Sequence, residues 1–306
     1  MTLRRPVPVA IVAMVAIAVA ACGGAAPSSS GTPTSGPSAA PSAVPSATPV
    51  ASPTTTPVTL LLKVTSEGGF INPAASLAAL PTVAVYADGR IMAPGPVDAI
   101  YPGPLLAPVA VRDVGAAGAA AILAAIKGVG LDKPAASGPG IPGDSGTNVF
   151  TAVVDGVTTT SRFAGGGQPG HPGGPVASGD EERVAALALV DKLLDPAETW
   201  GAASVKNGTY TPTGYRVFVA PGAPPTDSQA SQPPATWPLS TPLSTFGTPA
   251  TPDRGITGLR QGVVLGPDAA LLGPVLERAT AITAFTSGGQ SFTLSVRALL
   301  PDEAGG

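Results

Sequence analysis

One cysteine, Cys22, and one histidine, His171, are all that 306 residues offer of the side chains most used to bind zinc and to activate nucleophiles. A lone thiol cannot form a disulfide within the chain, and an odd cysteine in an exported protein needs another explanation. A lone imidazole without a spare thiol falls short of the three or four ligands that zinc requires, so no metal site and no cofactor is expected. Charge and aromatics are thin too: Asp, Glu, Lys and Arg make up 11% of the chain, Phe, Trp and Tyr 4%, and the net charge is −3. With no basic stripe and no aromatic platform, nucleic acid is a poor partner. No G-x-x-x-x-G-K-[ST] segment occurs. The formal G-x-G-x-x-G match GPGIPG (138–143) is interrupted by prolines and leads into a hairpin pattern, so it lacks the helix N-terminus that would receive a pyrophosphate.

Two further motifs resemble chemistry without its partners. GDSG (143–146) matches the nucleophile segment of trypsin-like serine proteases, but Thr147 replaces the next glycine, and His171 follows Ser145 instead of preceding it at a distance. A turn leading into a hairpin explains the same four residues. His171 sits among glycines and prolines and reads as an exposed loop residue. Asp180, Glu181 and Glu182 fall in the first turn of a helix, where carboxylates favour the positive end of the helix dipole. No catalytic residue is assigned.

What the sequence does contain begins with the cysteine. MTLRR precedes PVPVAIVAMVAIAVAA, an uncharged apolar run shorter than the roughly 20 residues of a membrane span, which fits a signal-peptide core. Val19, Ala20, Ala21 and Cys22 then resemble the bacterial lipobox. In proteins with that motif the cysteine thiol takes a diacylglycerol and becomes the mature N-terminus, which gives Cys22 a lipidation role, with acyl chains such as palmitate as the anchor. Each buried methylene adds about 0.8 kcal/mol, so two or three chains hold a protein on a membrane without a transmembrane helix. The expected location is the outer side of the cell membrane, lipid-anchored, facing away from the cytoplasm. Loss of residues 1–21 removes Arg4 and Arg5 and leaves the mature chain more acidic than the whole.

Composition divides the remainder. Residues 22–57 are rich in Pro, Ser, Thr and Ala, with prolines at 33, 37, 41, 45, 49, 53 and 57. This pattern cannot bury a core and predicts a disordered, polyproline-like stalk. From Val58 an α+β fold is expected, of small antiparallel sheets and hairpins with two or three helices, as one domain or two small lobes. The first lobe is placed at 58–163, a Gly-rich loop at 164–180, and a second lobe at 181–306 with a proline-rich insertion near 221–255. TLLLKV (59–64) predicts a strand; TVAVYADGRIM (82–92) predicts two strands around Asp88-Gly89; TNVFTAVVDGVTTTSRF (147–163) predicts a hairpin turning at Asp155-Gly156. The prolines of 93–108 point to an ordered surface loop. A helix is expected over 115–130, with Ile122, Leu123 and Ile126 inward. A second follows Ser178, which forms a capping box with Glu181; Val184, Leu187, Ala188 and Leu194 line one face, and Pro196 ends it. YRVFVA (215–220) predicts another strand. A short helix near 267–279 precedes ITAFT and QSFTLSVRALL, paired across 287–289. Helix followed by hairpin occurs twice, a hint of a pseudo-repeat.

EGGF (67–70), LPTVAVYADGRIMAPGP (80–96), YPGPLL (101–106), GVGL (128–131), WPL (237–239), STFG (244–247) and TAFTSGGQSFTLSVRALLPDE (283–303) together resemble a group of uncharacterised secreted proteins and lipoproteins of high-GC Gram-positive bacteria. The resemblance spans most of 58–303 and implies export, but carries no activity. Relatives often have cysteines near the C-terminal lobe, and this chain has none there. Three function classes follow. A cell-surface lipoprotein acting as a non-enzymatic binding or envelope-associated module comes first, with an unknown protein or cell-wall partner. The second is an extracytoplasmic hydrolase using carboxylates such as Asp88, Asp98 or Asp155; the third is a structural accessory of the envelope. A shallow apolar patch near Tyr101 favours the first, and a pocket with two carboxylates at catalytic separation the second.

Overall fold

The computed structural model describes residues 58–68, 76–133, 146–164, 181–225, 230, 232–251 and 255–304, all within one compact unit, Thr54–Gly306. The lipobox, the stalk, Ser145, His171 and the Ser178 cap lie outside the described residues.

The fold is α+β, built on two sheets. The first takes β1 (Leu60–Glu67), β2 (Val83–Tyr86), β3 (Arg90–Pro94), β4 (Val109–Asp113), β5 (Thr147–Val154), β6 (Val157–Ala164) and β7 (Lys206–Thr209). Its order is β6-β5-β1-β2-β3-β4-β7, antiparallel throughout. β1 sits inside the sheet with both faces covered, which is why it reads as an apolar run. A register shift between Leu60 and Leu62 lets Leu61 and Leu62 enter one core while Leu60 packs on the opposite face.

Helices α1 (Gly115–Gly128) and α2 (Glu181–Leu194) cover one face of this sheet, burying Leu62, Val64, Val83, Val85, Ile91 and Phe150. Ile122 and Ile126 of α1 are inward as predicted, with Leu123 packed beside them. The GVGL segment ends α1: the N–H of Leu131 donates to Ile126 O and that of Gly130 to Lys127 O, at 3.1 Å each, while Gly130 takes φ +81°. This is a Schellman arrangement, and the buried Leu131 supplies its apolar contact. α2 differs from expectation. Ala186, Leu189, Val190 and Leu193 are buried, whereas Val184 and Ala188 face water and Leu187 and Leu194 are only partly covered. The segment is apolar around most of its circumference, so periodicity alone does not choose the face. After α2, Pro196 serves as the first residue of a short helix, α3 (Pro196–Trp200).

The second sheet takes β8 (Gly214–Pro221), β9 (Ala235–Thr236), β10 (Thr248–Pro249), β11 (Arg260–Leu265), β12 (Ala284–Ser287) and β13 (Gln290–Ala298), in the order β10-β11-β8-β13-β12-β9. Helix α4 (Gly266–Arg278) packs Leu272 and Leu276 on one face, together with Trp237, Leu243 and Phe246. The proline-rich stretch expected as an insertion is thus part of a core. Arg260 fastens it: Nε donates to Phe246 O and Nη2 to Gly247 O, both at 2.8 Å. The remaining faces of the two sheets meet, with Ala84, Tyr86 and Met92 against Ala298 and Leu300. The layers therefore run helix pair, sheet, sheet, helix.

The division between halves falls between β7 and β8, not at 164–180. α2 completes the first core and β7 extends the first sheet. Nor do the two helix-then-hairpin units match in connection: in the first, the leading hairpin strand β5 pairs with β1, whereas in the second the trailing strand β13 pairs with β8.

Candidate functional site

The proline-rich residues 95–108 form a loop with closed ends, since the N–H of Gly95 donates to Pro108 O at 2.8 Å. Further along, Leu105 N–H donates to Ala279 O at 3.0 Å and Ala281 N–H to Gly103 O at 2.9 Å. Leu105 itself enters the second core. These contacts fix the return limb of the loop against the end of α4. The outward limb is left prominent: Val97 is 49% exposed, Ile100 68% and Tyr101 65%. Between the limbs and α4 lies a shallow groove of about 360 Å³, with Val97, Ile100, Leu106 and prolines on one side and Glu277 and Arg278 on the other. Proline rings stiffen such a loop and keep it out of the sheet. Compact closed loops of this kind commonly carry function on a rigid scaffold.

The three carboxylates named for a hydrolase do not assemble. Asp88 lies in the β2–β3 turn with Oδ2 2.7 Å from Arg90 Nε, and Asp155 in the β5–β6 turn with Oδ2 3.0 Å from Lys127 Nζ. Asp98 alone reaches the groove, where it and Glu277 both stand exposed to water. Among the described residues no group of three or more His, Cys, Asp or Glu side chains is placed to hold a metal ion, and no helix is long and apolar enough to cross a membrane. Glu181 and Glu182 are exposed in the first turn of α2.

A second polar cluster has no local signal in the sequence. The ALLPDE end of β13 turns back so that Asp302 pairs with Lys63 of β1 and accepts a 2.7 Å hydrogen bond from the Tyr86 hydroxyl. Glu303 receives Arg297 on both oxygens, Nη1 at 2.6 Å and Nη2 at 2.8 Å, with the Leu300 N–H at 3.1 Å. Burial would raise the Glu303 carboxyl, but the Arg297 hydrogen bonds and charge, then Lys63, outweigh it and bring it down to about 2. Burial, then the hydrogen bond to Asp302, pushes the Tyr86 phenol well above its usual range, so it stays a donor. Every member is paired, and the cluster joins the two sheets: it is a clasp, not a reaction centre. Lys63 and Asp302 are 239 positions apart, beyond any local sequence signal.

Compared with known proteins, the chain matches no family model, no curated protein and no solved structure. The geometry of the loop therefore stands as the main guide to function.

Proposed function

We propose that this protein is a cell-surface lipoprotein, anchored through the lipid on Cys22 and facing outside the cytoplasm, that acts as a non-enzymatic binding module of the envelope. The observation that carries the reading is the groove beside Tyr101. Three large apolar side chains stand exposed within five positions, on a loop whose other limb is hydrogen-bonded to the scaffold. Exposed apolar side chains grouped in this way mark interaction surfaces more often than catalytic ones. Their chemistry suits a protein partner that presents apolar side chains, with Asp98, Glu277 and Arg278 at the margin to set orientation. The membrane supplies the second attachment, and the stalk would set the reach.

Co-sedimentation with isolated cell envelopes of a high-GC Gram-positive bacterium tests it. The mature chain from residue 23, without its lipid, is expected to pellet saturably, and Ile100→Ser with Tyr101→Ser to reduce pelleting at least about tenfold, the cost of losing two central apolar contacts. Thermal unfolding of the double variant checks that it remains folded. Equal pelleting of the variant would overturn the reading.

A further inference from the structure

We propose that the cavity beneath the C-terminal end of α2 is a binding site for a small monocarboxylate, with Arg112 as the residue that holds the carboxylate. The cavity has a volume of about 350 Å³, at the small end of the range for small-molecule sites. Register explains who faces it. Arg112 of β4 lies opposite Ile91 of β3, which belongs to the helix-covered core, and Asn148 of β5 lies opposite Ser66 of β1. Thr82 adds a third uncharged polar group, and Leu80 and Leu194 supply apolar wall.

Charge decides the ligand class. Arg112 is half-buried, and its Nη1 is shielded from water with no hydrogen-bond partner. A guanidinium nitrogen withdrawn from water without an acceptor is costly, and no carboxylate stands among the described residues that line this cavity. Among those residues the one formal charge is therefore positive and lacks a counterpart. A carboxylate fits the planar guanidinium fork, and the Asn148 amide, 3% exposed, offers a further donor. A phosphate dianion fits less well, because the described lining holds no second cation and α2 presents its negative, C-terminal end there. The hydrocarbon part of the ligand would rest on Leu80 and Leu194. A second cavity, of about 320 Å³ between the sheets, also holds a partnerless nitrogen, Arg216 Nε, but Glu67 lines it and its other arginine, Arg297, is already held by Glu303. It lacks the unbalanced charge that defines the first.

Calorimetric titration of the mature chain from residue 23 with benzoate, and with benzamide as a neutral isostere, tests the proposal. Benzoate is expected to bind saturably, and benzamide at least about tenfold more weakly, the ratio that a charge-assisted hydrogen bond gives. Arg112→Gln should weaken benzoate by a similar factor and leave benzamide unchanged. Asn148→Asp sets a resident carboxylate in the cavity; it should abolish benzoate binding without lowering Tm. The proposal is overturned by no saturable benzoate binding up to about 20 mM, or by benzamide binding as well as benzoate. It is equally overturned if a folded Arg112→Gln variant binds benzoate as the parent does. Should Arg112→Gln melt early, Asn148→Asp decides, and undiminished benzoate binding in that variant contradicts the site.

Discussion

Glu303 carries more of the fold than its place three residues from the C-terminus suggests, since its two oxygens gather Arg297 and the Leu300 N–H behind the sheet that contains Lys63. Its folded pKa is depressed, to about 2 from the usual 4.5. The stability it contributes is thus complete above about pH 4.5 and lost as pH falls toward 2. Glu303→Gln should cost about 2 kcal/mol at pH 7 by urea denaturation, allowing for partial solvent screening, and should flatten the stability profile between pH 4.5 and 2. At Gly89 the constraint is steric: φ is +95°, and a Cβ there would lie 2.5 Å from Gly115 O at the start of α1. Gly89→Ala is expected to lower stability by about 1–3 kcal/mol, read from the denaturation midpoint. The sequence made the Asp88-Gly89 turn legible because turn chemistry is local. It could not show the clasp, because PDE following a strand looks like any polar chain end until Lys63 and Tyr86 arrive from the far side of the molecule.

At the scale of elements, strands and hairpins were legible and faces were less so. Asp155 adopts φ +52° in the two-residue turn of the β5–β6 hairpin, as an Asp-Gly pair between β-branched runs predicts. The inward face of α2 is not legible, because a helix with apolar residues nearly all round does not declare which stripe is inward. The WPL and STFG segments lie in the stretch expected as a proline-rich insertion. They are packing: Trp237 and Phe246 meet edge-to-face at 5.6 Å, and Trp237 Nε1 donates to Thr241 O at 2.9 Å. Trp237→Ala should therefore destabilise the protein by about 3–5 kcal/mol in thermal or chemical unfolding, as a truncated core aromatic does. An insertion looped out from the domain would tolerate the change within about 0.5 kcal/mol. The YPGPLL segment divides between the two roles. Leu105 is buried and hydrogen-bonded into the second half, while Tyr101 is 65% exposed, so packing accounts for the leucine and the tyrosine belongs to the surface.

For the whole molecule, the proposed function joins a lipid anchor to a scaffold that presents a binding loop. Cys22→Ala should release the protein into the medium or leave an unprocessed precursor, with loss of metabolic palmitate labelling. Unchanged acylation and membrane retention would contradict the anchor. On the proposed function the scaffold presents residues 97–101 to a partner, and the most direct measurement of that proposal is site-specific photocrosslinking in intact cells. A photoreactive side chain in place of Ile100 is expected to give a discrete adduct with an envelope protein. The same group in place of Leu271, 58% exposed on the outer side of α4, should give none. No adduct from position 100, or the same adducts from both positions, would contradict the binding-module account.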